Sequence, residues 1–271
     1  MGTKSSRRTM GRALVLIALG LAGCDGSRPG DEGRAAAPAP LRVAAASDLQ
    51  NVLPTLVERF TRASKVEVSL TFGASGQLAE QIKNGAPFDV FLAANQAFVQ
   101  DLADGGFVRP DSVRPYALGA LVLAVHPGSA EVVGGLTDLA KPEVKKIALA
   151  NPSTAPYGAA AKQALERSGL WSSVEPKLVQ AETVRQALQF VETGNAEAGF
   201  AGHANARTAQ VRVVAVDPKL HDPIVQALGV VARSKCPEEA EAFARFVLGD
   251  GGQDVLVELG SKPPQGGRGA K

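Results

Sequence analysis

The apolar positions of this chain follow two periods that alternate along its length. Leu41 to Ala45 is a short apolar run of the kind that forms a buried strand. Leu49, Val52, Leu53, Leu56, Val57 and Phe60 then recur at the spacing of one helix face. Val66 to Thr71 is rich in β-branched residues and alternates, which predicts a second strand. Gly76 to Asn84 predicts a helix, Asp89 to Ala93 a buried strand, and Asn95 to Gly105 a helix stopped by a glycine pair. Leu118 to Val125 predicts a strand closed by His126-Pro127-Gly128. Strand-like Ile147 to Ala150, Ala198 to Ala201, Val211 to Val216 and Ala227 to Ala232 interleave with helix-like Gly158 to Ser168 and Thr183 to Thr193. Helices over Pro237 to Leu248 and Gly251 to Leu259 close the pattern.

Repeated strand–helix–strand units imply an α/β fold of largely parallel sheets with helices on both faces. The patterned stretch is large for one such sheet, so two α/β lobes with a cleft between them are expected. No Gly/Pro-rich linker separates the lobes, which fits a chain that crosses between them on strands. Ligands of open α/β sheets sit beyond the carboxyl ends of the strands, so the strand-to-helix turns are where chemistry belongs.

Residues 1–24 stand outside this pattern. Lys4, Arg7, Arg8 and Arg12 precede the apolar run Ala13 to Ala22. That run is shorter than the about 20 residues a membrane-spanning helix needs, and has the length of a signal-peptide core. Leu21-Ala22-Gly23-Cys24 resembles the lipobox of bacterial lipoproteins, in which the cysteine is lipidated and becomes the mature N-terminus. Residues 25–40, rich in Gly, Pro and Ala, read as a flexible tether. The expected product is a membrane-anchored lipoprotein outside the cytoplasm.

This leader changes the charge balance. The chain holds 29 basic and 27 acidic residues, and the leader takes four of the basic ones, leaving 25 against 27. A nucleic-acid binder would carry a basic field, so nucleic acid is excluded as an expected partner. Cys24 and Cys236 are the only cysteines. With Cys24 lipidated, no disulfide forms within the chain and the core must hold the fold.

Four loops share a chemical character. Ala44-Ala45-Ala46-Ser47-Asp48-Leu49-Gln50 follows the first strand, and Ser47 with Gln50 has capping-box spacing. Phe72-Gly73-Ala74-Ser75-Gly76-Gln77 follows the second, with Ser75 as an expected N-cap. Asn151-Pro152-Ser153-Thr154-Ala155-Pro156-Tyr157-Gly158 and Ala181-Glu182-Thr183-Val184 lead into later helices. A helix start offers unpaired N–H groups and partial positive charge, and so can bind an anion without Lys or Arg. Ser47, Ser75 and Tyr157 would add hydroxyl donors.

At these residues the chain resembles the periplasmic molybdate-binding proteins of ABC transporters. Ala44 to Leu49, Phe72 to Gly76, Asn84-Gly85-Ala86-Pro87-Phe88-Asp89-Val90-Phe91-Leu92, Ala150 to Pro152 with Ala155 to Gly158, Gln186 to Val191 and Pro223-Ile224-Val225-Gln226 carry the likeness. It spans Leu41 to Gly260 in order. The resemblance implies a type II periplasmic-binding-protein fold, with lobe 1 over 41–117 plus 226–262, lobe 2 over 118–225 and a tail over 263–271. It implies capture of molybdate or tungstate, held through its oxygens by hydroxyl and backbone donors of Ser47 and Ser75, the Asp48 N–H, Tyr157 and the Val184 N–H. It further implies delivery to an ABC permease by a monomer, with no catalysis and no resident cofactor. Some relatives carry a tyrosine in the loop matching Phe200-Ala201-Gly202-His203; here Tyr157 would stand in for it.

Asp48 tests this reading. Molybdate at neutral pH carries no proton and only accepts hydrogen bonds, so Asp48 is expected to turn outward or cap its helix; an inward carboxylate would suit hydrogen phosphate. A phosphate- or sulfate-type binder of the same fold is therefore the alternative. A serine hydrolase is the rival from another class, but Gly73-Ala74-Ser75-Gly76-Gln77 lacks the last glycine of the nucleophile elbow. Of its three histidines, His126 and His221 flank turn prolines.

Overall fold

The computed structural model describes residues 39–264. The leader, Cys24, the tether as far as residue 38 and residues 265–271 lie outside the described residues. Two five-stranded mixed sheets, each flanked by helices, form two lobes. The first lobe contains β1 (Leu41–Ala46), α1 (Leu53–Ser64), β2 (Val68–Gly73), α2 (Ser75–Lys83), β3 (Val90–Ala93), α3 (Gln96–Asp104) and β4 (Arg114–Gly119). The second contains β5 (Leu121–Val125), β6 (Ile147–Ala150), α4 (Pro156–Arg167), α5 (Trp171–Val174), β7 (Leu178–Ala181), α6 (Val184–Glu192), β8 (Ala198–Gly202), α7 (His203–Ala206) and β9 (Arg212–Ala215). The chain then returns to the first sheet as β10 (Ile224–Val230), followed by α8 (Pro237–Leu248) and α9 (Asp250–Glu258). The sheet orders are β2-β1-β3-β10-β4 and β7-β6-β8-β5-β9.

Parallel pairing holds where strand–helix–strand units run on: β1 with β2 and β3, and β6 with β7 and β8. The crossing strands add antiparallel pairs, β10 with β3 and β4, and β5 with β8 and β9. The single strand expected over Leu118 to Val125 is two: β4 ends at Gly119 in one sheet, and β5 begins at Leu121 in the other. A continuous apolar run cannot reveal that its two halves belong to different sheets.

Helix amphipathicity follows the core. On α1, Leu53, Leu56 and Phe60 are buried, and the helix stops at Lys65 in a left-handed conformation (φ 64°). On α6, Val184, Ala187, Leu188 and Val191 face inward, and Thr183 caps the start by accepting the Gln186 N–H at 3.1 Å. The motif residue Asp89 is structural. Fully buried, it accepts from the Arg42 N–H and the Ser234 hydroxyl, both at 2.8 Å. No helix among the described residues is long and apolar enough to cross a membrane.

Candidate anion-binding site

The carboxyl ends of β1, β2, β6 and β7 point at the same gap, so the four loops that follow them meet there. Between the lobes lies a pocket lined by Ala46, Ser47, Asp48, Gly73, Ala74, Ser75 and Ala94 from the first lobe and by Ala155, Pro156, Tyr157 and Val184 from the second. It holds about 190 Å³ of space, part of it open to solvent. None of the lining residues is Lys, Arg or His. The pocket thus brings together Ser47, Asp48, Ser75, Tyr157 and Val184.

Ser75 is the first residue of α2, and the N-cap position falls to Ala74. The expected cap is therefore not made. Instead Ser75 Oγ accepts the Ala94 N–H at 3.0 Å, beyond the end of β3. With its oxygen so engaged and the residue only 1% exposed, the hydroxyl proton is left to donate into the pocket. The Ser47–Gln50 capping box is likewise absent. Ser47–Leu49 is a single 3-10 turn without a side-chain cap, and the Gln50 N–H bonds the Ser47 carbonyl at 3.3 Å. A turn this short leaves no first helical turn for Gln50 to reach back across. Val184 and Tyr157 sit in the first turns of α6 and α4, whose leading N–H groups have no partner within the helix.

Asp48 corrects the sequence reading. Its side chain does not turn outward; it is buried, 3% exposed. Asp48 Oδ2 accepts from Gln226 Nε2 in a short contact, and Gln226 Nε2 also lies 3.3 Å from the Tyr157 hydroxyl. These partners, one on a crossing strand and one on the opposite lobe, draw the carboxyl inward. Burial pushes its pKa up to about 6, against the lowering effect of the Gln226 and Tyr157 hydrogen bonds. Burial, and then the charge of Asp48, raise the Tyr157 and Tyr116 hydroxyls well above the usual tyrosine range. The Tyr157 hydroxyl thus lies against Gln226 of β10 and the Asp48 carboxyl. Gln226 has no role assigned from the sequence, although it ends the Pro223-Ile224-Val225-Gln226 segment that carries the likeness, and it is the one polar side chain of β10.

Two glycines make room for Tyr157. A Cβ on Gly119 would overlap the Tyr157 hydroxyl, and one on Gly202 would sit 3.1 Å from Tyr157 Cζ. The lobes are closed on one another. The Gly76 N–H donates to the Thr154 carbonyl at 2.9 Å, and Asn205 Nδ2 to the Ser47 carbonyl at 3.2 Å. Ala46, Ala74 and Ala94 pack in one apolar cluster with Ala155, Tyr157 and Val184. The histidines lie elsewhere. His203 and His221 line a separate hollow with Lys262 where β4 passes into β5, and His126 Nδ1 accepts the Gly128 N–H. Among the described residues no group of three His, Cys, Asp or Glu is placed to hold a metal ion.

The sequence of residues 41–261 matches the family model of the bacterial extracellular solute-binding proteins. The chain is 33% identical to the molybdate-binding protein ModA of Azotobacter vinelandii, over 93% of this chain and 97% of that one. It is 35% identical to ModA of Rhodobacter capsulatus, over 74% and 79% respectively. The solved structure of the Azotobacter vinelandii periplasmic molybdate-binding protein superposes with a TM-score of 0.78 at 30% identity, covering 83% of this chain and all of that one.

Proposed function

The chain belongs to the bacterial extracellular solute-binding protein family, and from that premise we propose that its cleft captures molybdate or tungstate for an ABC importer. One observation carries the proposal: two serine hydroxyls of the first lobe and the starts of α4 and α6 of the second converge on a small pocket without a cationic side chain. Neutral donors fixed in a water-poor site solvate a dianion much as water would, without the cost of reorganising at each encounter. Ser47 and Ser75 donate from the first lobe, Val184 and Tyr157 from the second, and the Asp48 N–H completes the set. Closure of the lobes supplies the half that is missing when they are apart.

No chemistry is performed on the ligand in this proposal. Ser75 gives its oxygen to Ala94, and all three histidines lie outside the pocket lining, which argues against a serine hydrolase. We further propose that Cys24 carries the lipid anchor and that a monomer hands the anion to a permease. The basic and apolar leader ending in Leu21-Ala22-Gly23-Cys24 supports the first point.

A phosphate-type ligand is the second reading, and the buried Asp48 carboxyl favours it, since an acceptor suits a protonated anion. Calorimetric titration with molybdate, tungstate, sulfate and phosphate tests the choice. Tight binding of molybdate and tungstate with weak or no binding of phosphate is expected; the opposite ranking overturns the first reading in favour of the second.

A further inference from the structure

We propose that Asp48 is a specificity-determining residue that enters the loaded pocket as a neutral carboxylic acid, donating from Oδ1 to the oxyanion, so that capture of a fully ionised dianion takes one proton from solvent. This rests on the anion-binding reading above and adds a proton to it.

The geometry carries the proposal. Asp48 lines the pocket beside Ser47 and Ser75 and is buried. Its Oδ2 is held by Gln226 Nε2, whereas its Oδ1 has no hydrogen-bond partner among the described residues. A buried oxygen without a partner is costly unless a ligand completes it. An ionised Oδ1 can only accept, and so can every oxygen of a fully ionised tetrahedral anion. The two are compatible only when a proton lies between them.

Among the described residues no counter-charge offers another way out. The groups that act on the Asp48 carboxyl are Gln226, Tyr157 and its own backbone. The titratable side chains facing it are Tyr157 from α4 and Tyr116 from β4, both held neutral by burial. The other elements packed on its turn are β2, which carries no titratable side chain, α6 and α7. On α6, Arg185 pairs with Glu192; on α7, His203 faces the Gly260 carbonyl. An ionised Asp48 beside a dianion would therefore meet unrelieved repulsion. Burial has already raised the carboxyl to about 6 in the free protein, which brings the proton within reach at neutral pH.

The ligand classes separate on this basis. A fully ionised anion needs Asp48 as donor and brings a proton in from solvent. Hydrogen phosphate brings its own proton, and Asp48 stays ionised as acceptor.

Calorimetry of the intact chain with molybdate, near pH 7.5 in buffers of different ionisation enthalpy, tests this. About one proton taken up per anion is expected, and Kd should weaken about tenfold per pH unit above neutrality. Asp48→Asn should bind molybdate with no uptake and no such pH dependence. Tight molybdate binding by the unaltered chain without proton uptake overturns the proposal and leaves the anion reading standing. The same uptake in Asp48→Asn also overturns it, by assigning the proton elsewhere. No binding of molybdate, sulfate or phosphate at any pH from about 5 to 8 overturns the anion reading and this inference together.

Discussion

Tyr157 fills the space that Gly202 leaves open: a Cβ on residue 202 would lie 3.1 Å from Tyr157 Cζ and 3.3 Å from its hydroxyl. One tyrosine therefore fits at this corner of the pocket, supplied here by the Pro156-Tyr157-Gly158 turn. Gly202→Tyr should displace Tyr157 and weaken molybdate binding by at least about tenfold, roughly 1.4 kcal/mol. Combined with Tyr157→Ala, the same tyrosine should cost much less. A double-mutant cycle reads this as a coupling of about 1 kcal/mol or more; additive losses would separate the two residues.

Ser75→Ala removes one donor to the anion and the acceptor of the buried Ala94 N–H. Loss of a hydrogen bond to a charged ligand costs about 1.5–3 kcal/mol, so affinity should fall roughly 10- to 150-fold. Titration measures it, and an unchanged Kd removes Ser75 from the site.

Asn205 donates to the Ser47 carbonyl across the closed lobes and touches none of the pocket lining's hydroxyls. Asn205→Ala should favour the open form by about 1 kcal/mol, the worth of one neutral hydrogen bond, and weaken anion binding about fivefold. The competing outcome is unchanged affinity, which would make this bond irrelevant to closure.

Asp48 also gives the free protein a pH signature. Its folded pKa of about 6 lies above the ordinary value of 3.8, so the folded state holds its proton longer than the unfolded state. Stability should therefore fall as pH rises through that window, from about 4 to about 6, and this contribution should be flat above it. The span amounts to about 3 kcal/mol. Urea denaturation of the unaltered chain and of Asp48→Asn across this range isolates the effect; parallel curves would show that Asp48 titrates normally.

How much of this was legible in the sequence depends on range. The turns after β1 and β2, and those entering α4 and α6, were legible because each is a local event: an apolar strand, a small-residue turn, a helix start. What those turns do with their side chains was not. Ser75 looks like an N-cap from its neighbours, yet its oxygen serves Ala94, 19 positions on. The inward pull on Asp48 comes from Gln226, 178 positions away, and no periodicity connects them. The break between Gly119 and Leu121 was hidden for the same reason, since only the two sheets distinguish β4 from β5. β7 was missed as well; Gln180 interrupts its four-residue apolar run.

A tetrahedral anion is expected where Ser47, Ser75, Tyr157 and Val184 converge. Anomalous diffraction at the molybdenum absorption edge, from crystals of the chain grown with molybdate, places that atom without reference to any assumed pose. The account predicts one strong peak inside this pocket, within hydrogen-bonding reach of both serines through the oxygens around it. A peak in the hollow beside His203 and Lys262, or none at all at saturating molybdate, would contradict it.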